Sequence, residues 1–412
     1  EISACLVGSE MCIRDSLLCD LLGAVDSKKH SYTELTKEKN LHTGGISYDL
    51  RSVDPIAAPE KWTAKAVVKA RVLVRKLPQL FALLEEILTT SRFDDRKRMR
   101  ELIDQCIAGC ERQIMNAPQR VMGARLMAYL LPNARFEDRS GLAYYNFLRE
   151  IGKNFPVRFE DLRARLEEVR RKLYRREGLI LAVTAEEKDY AAIVKAFAPF
   201  AAALSENHYP AAEYTLEDPV KNEGLTNSSR VQYVGKGANF RAMGYPFTGA
   251  MRVLETIMRY GYLWNRVRVQ GGAYGAAAQF TREGAMVFTS YRDPNLSETL
   301  DVYDSVADYL RGFTASEREM TKYIIGTISA IDTPLTPQMK GALAVNGYLR
   351  GITYEMRQKT RREVLATGEA EIRSLAELVD AGMKQNIYCV FGNEEKLKEN
   401  SDLFSRLISV ME

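Results

Sequence analysis

Residues 30–53 read HSYTELTKEKNLHTGGISYDLRSV and contain, in one stretch, the two kinds of element that decide the fold. Ser31 precedes a helix-favouring run, and Glu34 stands three residues later, which is the capping-box pattern of a helix start. Gly44 and Gly45 end that run. The next eight residues alternate between apolar and polar positions, as in a half-buried strand. The stretch therefore predicts a helix, a glycine turn and a strand.

The same signals recur along the rest of the chain. Amphipathic helical patterns come in runs, and strand-like segments lie between the runs. The further predicted strands are WTAKAVVKARVLV (62–74), GLILAVTA (178–185), RVQYVGKGANF (230–240), RVRVQGGAYGAAAQF (266–280), GAMVFTSY (284–291) and NIYCVFG (386–392), and a closing helix is predicted over 394–409. Strands separated by several helices favour an α+β fold, with mixed β-sheets packed against helices.

Two short echoes suggest that the chain contains a duplicated domain. Residues 182–188 read AVTAEEK and residues 390–396 read VFGNEEK, and both place EEK after an apolar strand-like segment. The pair Gly44-Gly45 is echoed by Gly271-Gly272. Two echoes in the same order predict two homologous domains of about 200 residues. We place them at 17–206 and 229–412, with a linker at 207–228 that is rich in proline and polar residues.

The first sixteen residues do not resemble the rest of the chain. Residues 1–16 read EISACLVGSEMCIRDS, which matches the translation of a common sequencing adapter. The alternative is a short secretory segment, but Arg14 and Asp15 interrupt any apolar core that such a segment needs. We therefore interpret residues 1–16 as an adapter artefact that carries no information about the fold. On this interpretation the native amino terminus is missing, and targeting is not readable from the chain.

Charge and hydropathy argue against nucleic-acid and membrane partners. The net charge is only +4, and the basic residues concentrate in helical runs such as RFDDRKRMREL (92–102) and EEVRRKLYRREG (167–178). Solvated helix faces explain these runs better than a nucleic-acid patch, because no aromatic and basic recognition motif accompanies them. No apolar stretch approaches the roughly 18 residues of a membrane span. We expect neither nucleic acid nor membrane as a partner.

Cysteine usage indicates a reducing compartment. Outside residues 1–16 only Cys19, Cys106, Cys110 and Cys389 remain, too few and too scattered for a disulfide framework. We expect a cytoplasmic, bacterial protein. Cys106 and Cys110 stand four residues apart and share a helix face. Their apolar neighbours favour small core residues over metal ligands.

The usual catalytic motifs are absent from the sequence. The three histidines, His30, His42 and His208, are too far apart to write either HExxH or HxxEH. A catalytic zinc needs three protein ligands, so we expect no metal site in this chain. Neither Gly235-Lys236-Gly237 nor the glycines of 271–275 complete a phosphate-binding loop.

The segment RVRVQGGAYG (266–275) is the one candidate site. Arg268 and Tyr274 lie six residues apart and would share a face if this segment were a strand. Gly271 and Gly272 between them would let another backbone approach closely. An arginine fork and a phenol suit the binding of a peptide carbonyl. The other interpretation, a tight strand-turn with a half-buried tyrosine and a surface arginine, remains open on spacing alone.

Several longer segments resemble a known family. LGAVDSKKHSYTELTKEKNLHTGGISYDL, VGKGANF, LWNRVRVQGGAYG, SYRDPNLSETLDVYD and NIYCVFGNEEKL are similar to the presequence protease branch of the pitrilysin/insulinase family of zinc metallopeptidases. The resemblance runs from about Leu17 to the end. It implies four homologous α+β domains in two halves around a closed chamber, of which this chain resembles domains three and four.

The resemblance also implies roles for the candidate residues. Tyr274 would stabilise the oxyanion, Arg268 would hold a substrate carbonyl, and Gly271 and Gly272 would belong to the substrate-binding strand. The corresponding positions of the first domain hold Leu41 and Ser47, which lack both functions. Residues 291–295, YRDPN, are interpreted as a structural turn.

For the whole enzyme, the resemblance implies zinc bound by the other half through HxxEH, with unfolded peptides and that half as partners. The fragment alone would be inactive. Two alternatives remain open: a non-catalytic partner or structural subunit of the same family, and a peptide-binding module that acts alone.

Overall fold

The computed structural model describes residues 9–209 and 216–411, which form two compact units. The first unit takes the described residues of 1–53, 62–112 and 139–217, and the second takes those of 54–61, 113–138 and 218–412. Residues 1–8 of the predicted adapter and residues 210–215 of the predicted linker lie outside the described residues. The remaining part of the adapter segment begins the first helix.

Helices dominate both units. In chain order the α-helices are α1 Ser9–Leu21, α2 Tyr32–His42, α3 Leu77–Thr90, α4 Arg96–Asn116, α5 Pro118–Leu130, α6 Pro132–Asp138, α7 Tyr144–Lys153, α8 Phe155–Leu173, α9 Tyr190–Ala203, α10 Gly249–Tyr260, α11 Ser297–Asp304, α12 Val306–Arg311, α13 Glu317–Ile331, α14 Pro337–Arg350, α15 Tyr354–Leu365, α16 Glu369–Ser374, α17 Ala376–Met383 and α18 Glu394–Glu399. Within the described ranges, none of them combines the length and apolar character that crossing a bilayer requires.

The first unit is a helical core with one small sheet. Strands β1 Ile46–Val53 and β2 Thr63–Ala70 pair antiparallel, with Tyr48 opposite Val68. The predicted capping box is present, because the Ser31 hydroxyl accepts from the Glu34 backbone N–H while the Glu34 carboxylate accepts from the Ser31 N–H. Gly45 has a φ of +115°, which suits glycine between the helix and the strand. Apolar faces of α1, α3 and α8 form much of the core.

The predicted strand over 178–185 is wrong. The segment has no regular structure, and its apolar side chains are partly exposed, with Ile180 and Leu181 each at 37% and Val183 at 36%. A strand needs a hydrogen-bonding neighbour, and no strand of the described residues pairs with this segment. The sheet of the first unit therefore has two antiparallel strands, where a mixed sheet was predicted.

The second unit has a six-stranded mixed sheet in the order β5-β6-β4-β7-β3-β8. Its strands are β3 Glu223–Asn227, β4 Tyr233–Asn239, β5 Gly275–Phe280, β6 Ala285–Tyr291, β7 Ile387–Asn393 and β8 Arg406–Ser409. β3 runs parallel to both β7 and β8, and the other pairs are antiparallel. Side chains of α10 and α17 pack on this sheet in one large core. The predicted α+β class is confirmed.

Two of the sequence predictions for this unit are wrong. β3 lies inside the segment predicted as a linker, and β8 forms where a closing helix was predicted. Both are short, and EGLTN (223–227) carries little apolar signal. β3 is a buried strand nonetheless. It pairs with β7 on one side and with β8 on the other, and these strands satisfy its backbone hydrogen bonds.

The glycine-rich segment Gly235-Lys236-Gly237 is part of β4 and not a loop. A Cβ on Gly235 would lie 2.5 Å from the Met122 sulfur of α5, and a Cβ on Gly237 would lie 2.4 Å from the backbone oxygen of Met286. The two glycines therefore make room for α5 and for β6. This geometry rules out the phosphate-loop interpretation of the motif.

Gly237→Ala should destabilise the chain by about 1–3 kcal/mol, because the obstructing atom is backbone and the sheet must shift to admit a methyl group. Gly123→Ala is the matched control, since Gly123 lies within α5 and a Cβ added there would meet nothing within 4 Å. Alanine is the better helix former there and should stabilise by about 0.5–1 kcal/mol. Urea unfolding of both variants measures the effects. Equal stability of Gly237→Ala and the parent would contradict this account.

Candidate functional site

Arg268 lies on a π-helical turn, Trp264–Gln270, and not on the strand that its spacing predicted. Val267 is buried and fixes the turn to the core of the second unit. The turn closes through backbone bonds, with the Gly272 N–H donating to the Arg268 oxygen at 3.0 Å and the Ala273 N–H donating to the Val267 oxygen at 3.2 Å. The alternation of apolar and polar residues in RVRVQ therefore does not mark a strand. Val267 is its one anchored residue, and the segment pairs with no strand among the described residues.

Gly271 and Gly272 also lie outside any strand, which corrects their assignment to a substrate-binding strand. A Cβ on Gly271 would lie 2.6 Å from the backbone oxygen of Val267. Gly272 has a φ of +80°, where other residues are strained. The pair ends the π-helical turn and sends the chain into β5, which begins at Gly275.

The Arg268 guanidinium is held between two aromatic rings. Its central carbon lies 4.0 Å from the centroid of the Trp264 ring and 5.9 Å from that of the Tyr274 ring. Such contacts attract a cation to the ring faces and leave its N–H donors free. Among the described residues the guanidinium forms neither an ion pair nor a hydrogen bond, so its donors are available to a ligand.

The Tyr274 side chain is exposed, at 68% of its full accessible area. Its backbone is fixed, because the Tyr274 N–H donates to the Tyr291 oxygen at 3.0 Å. Its ring meets the Tyr291 ring edge-on, with 5.9 Å between centroids. Within the described part of the chain the phenol oxygen has no hydrogen-bond partner. The fold therefore presents an ordered tyrosine whose hydroxyl is free.

The turn at residues 291–295 supports this arrangement. Asp293 is buried, and its carboxylate accepts from the Asn295 N–H at 2.9 Å and from the Thr299 hydroxyl at 2.8 Å. Burial raises the pKa of that carboxyl. The Asn295 side-chain amide donates to the Gly271 oxygen at 2.6 Å. The structural interpretation of YRDPN agrees with this geometry.

Trp264 and Asn295 are site residues that the sequence patterns did not identify. Trp264 stands four residues before Arg268, and that spacing on a helical turn is a signal for a side-chain contact. Asn295 contacts Gly271 across 24 residues of chain. No local pattern predicts a contact of that range.

The other candidate residues do not form a site. His30 contacts Glu86 through Nδ1 at 2.9 Å, and His42 contacts Glu38 through Nε2 at 3.2 Å. No group of three or more His, Cys, Asp or Glu residues in the described ranges could hold a metal ion. Burial raises the pKa of the Cys106 thiol to about 12 and that of the Cys110 thiol to about 11, so both stay protonated.

The glycine pair of the first unit is not accompanied by an arginine and a tyrosine at the matching positions. Gly44 and Gly45 stand between α2 and β1, as Gly271 and Gly272 stand between a helical turn and β5. Leu41 is an exposed residue of α2, and Ser47 lies on β1. Of the two described units, only the second presents the arginine and tyrosine.

The sequence of the chain is similar to those of known peptidases. Residues 222–391 match the family model of the PreP C-terminal domain, and residues 11–151 match that of the region associated with subfamily C of the M16 peptidases. Protein HypA of Clostridium perfringens is 36% identical over 96% of this chain and 40% of its own length. Presequence protease 1 of Arabidopsis thaliana is 32% identical over 94% of this chain and 36% of its own length. The chain thus spans about two fifths of these relatives.

Solved structures share the fold at low identity. A protease from Helicobacter pylori aligns with a TM-score of 0.60 at 12% identity, covering 94% of this chain and 90% of that one. A peptidase M16 inactive domain from Pseudomonas fluorescens gives 0.58 at 15% identity, covering 91% and 87%. Pitrilysin gives 0.56 at 14% identity, covering 93% of this chain and 38% of its own.

Proposed function

Because the chain belongs to the presequence protease branch of the M16, or pitrilysin, peptidases, we propose that it is the substrate-binding half of a zinc-dependent metalloendopeptidase. In this proposal the chain holds the backbone of an unfolded peptide, and the rest of such an enzyme supplies the zinc. The chain alone is then inactive.

One observation carries the proposal: the Arg268 guanidinium and the Tyr274 phenol lie side by side with no polar partner among the described residues. Many other surface arginines of this chain are in ion pairs, for example Arg361 with Asp332. Polar groups that are ordered and unpaired are the ones that a ligand can use. An extended peptide offers carbonyl oxygens, which accept from both groups.

The two side chains suit different moments of peptide hydrolysis. The planar guanidinium can donate two parallel hydrogen bonds and can hold a carbonyl next to the scissile bond. The phenol can donate to the carbonyl oxygen that becomes negatively charged as the tetrahedral intermediate forms. Trp264 keeps the guanidinium in place through the ring contact. The chain's own residues therefore bind and orient the peptide and stabilise charge.

The described residues do not fit a zinc site. A catalytic zinc needs three protein ligands held together, and none of the histidines has two suitable ligands beside it. We expect the purified chain to bind no stoichiometric zinc and to cleave no peptide. Metal analysis and a peptide-cleavage assay measure both. About one tightly held zinc per chain, lost on substitution of His30 or His42, would contradict the prediction.

A chimera tests the proposed role directly. In it this chain replaces the matched region of the Arabidopsis presequence protease. The chimera should cleave unfolded peptides, whereas this chain alone should not. A folded chimera without peptidase activity would count against the proposed function.

A further inference from the structure

Arg292 has a backbone conformation that arginine rarely adopts. Its φ is +49°, in the left-handed region that favours glycine. Among the described residues, the other non-glycine residues with a positive φ are Asn222 and Asn386. Asparagine tolerates this region, and both of these side chains form hydrogen bonds within the fold. Neither reason applies to Arg292.

The residues on both sides of Arg292 are fixed by backbone bonds. The Tyr291 oxygen accepts from the Tyr274 N–H at 3.0 Å. Asp293 is buried, and its N–H donates to the Gln232 oxygen at 2.8 Å while its oxygen accepts from the Gln232 N–H at 2.7 Å. The chain must therefore turn at residue 292, and glycine would make this turn with less strain. A strained residue that persists in a fold points to a function of its side chain.

The Arg292 side chain contributes little to the packing of the fold. It is exposed, and it forms no ion pair with a carboxylate of the described residues. Its guanidinium carbon lies 5.6 Å from the centroid of the Tyr291 ring. The guanidinium also donates to the Tyr233 phenol, and this hydrogen bond raises the pKa of Arg292. These contacts orient the guanidinium and leave its positive charge without a negative partner.

Contacts between rings connect Arg292 with the candidate site. The Tyr291 ring lies 5.9 Å from the Tyr274 ring, centroid to centroid. The Arg268 guanidinium carbon lies 5.9 Å from the same Tyr274 ring. Three successive contacts thus lead from Arg268 through two tyrosines to Arg292. The two guanidiniums are no further apart than the length of about five residues of an extended peptide.

We propose that Arg292 is a second substrate-binding residue, which holds a carboxylate of the peptide within about five residues of the carbonyl that Arg268 binds. A carboxylate is the matching ligand, because it carries a full negative charge and accepts two parallel hydrogen bonds from a guanidinium. The inference rests on the proposed function and names its substrate class. Preferred peptides have an acidic side chain, or a free carboxyl terminus, near the bond that is cleaved.

Paired peptides test this preference in the active chimera. One series has a single Glu, or Gln in its place, at each position within about five residues of the cleaved bond. A second series ends in a free acid or in an amide at the same distances. We expect KM to be about 10-fold lower for the carboxylate member at one placement, the effect of one charged hydrogen bond. The turnover number kcat should not change, because the contact is made before and during reaction. The series that shows the effect identifies the source of the carboxylate.

Two substitutions separate binding from structure. Arg292→Gly should abolish the difference in KM while Tm stays at or above that of the parent, because glycine relieves the left-handed strain. A structural arginine would give the opposite result, a lower Tm with the difference in KM retained. Arg292→Glu should reverse the preference, so that a peptide with Lys in place of Glu has the lowest KM. Arg259→Glu is the matched control, since Arg259 is exposed on α10 and the change in charge is the same.

Equal KM values for all paired peptides would overturn the carboxylate site. So would equal shifts for Arg259→Glu and Arg292→Glu, because the general charge of the surface would then govern binding. The proposed function fails separately, if the folded chimera is inactive. The same peptides, labelled with fluorescein, are then compared by fluorescence anisotropy on the 412-residue chain. An affinity about 10-fold weaker for the neutral member, lost in Arg292→Gly, would still support the site, and equal affinities would overturn it.

Discussion

Tyr274→Phe should lower kcat about 100-fold to 1000-fold in the active chimera, with little change in KM. The phenol's hydrogen bond is proposed to strengthen only as the oxyanion forms, and an interaction made in the transition state acts on kcat. Loss of one oxyanion donor typically has an effect of this size. The structure adds that the hydroxyl stabilises nothing else among the described residues, so its removal should leave folding unchanged. Steady-state kinetics and thermal unfolding measure the two effects.

Tyr260→Phe is the control for that experiment. Tyr260 is also an exposed tyrosine of the second unit, at 64%, at the end of α10. It should retain normal kinetics. If Tyr274→Phe keeps a near-normal kcat/KM as well, Tyr274 is a structural tyrosine, and the tight-turn interpretation of RVRVQGGAYG is the right one.

Arg268→Lys should lower kcat/KM about 10-fold to 100-fold and should change both kcat and KM. Hydrogen bonds from a charged group contribute about 1.5–3 kcal/mol, and the peptide carbonyl is held both before and during reaction. A lysine carries the charge but not the planar fork, and it stacks less well on Trp264. Trp264→Ala should reproduce part of the loss, because the guanidinium then loses its nearest contact.

Arg259→Lys is the matched control, since Arg259 is exposed on α10. Arg282 would not be a suitable control, because its side chain is engaged in the fold. It donates to the Thr360 hydroxyl at 2.6 Å and stacks on Phe247. If Arg259→Lys and Arg268→Lys reduce activity equally, general charge and not the fork governs binding, and the assigned role of Arg268 is wrong.

Local sequence chemistry determined much of this protein. The capping box at Ser31, the strand over 46–53 and the positive φ of Gly45 and Gly272 all follow from interactions within a few residues. The strands at β4, β6 and β7 follow from apolar runs. The α+β class and the choice of Arg268 and Tyr274 as the candidate pair were likewise available from sequence, the roles of that pair through the family resemblance.

Tertiary structure decided the rest, because strands and sites depend on partners far away in sequence. Residues 179–183 have the composition of a strand but no neighbour to pair with among the described residues, whereas EGLTN (223–227) lacks that composition and is a strand because β7 and β8 flank it. RVRVQ became a π-helical turn since Val267 alone is anchored in the core. The contacts of Arg268 with Trp264 and of Asn295 with Gly271 come from that turn. Hydrogen-bond satisfaction and burial are properties of the assembled sheet. The sequence of one segment specifies only one of the two partners in each contact.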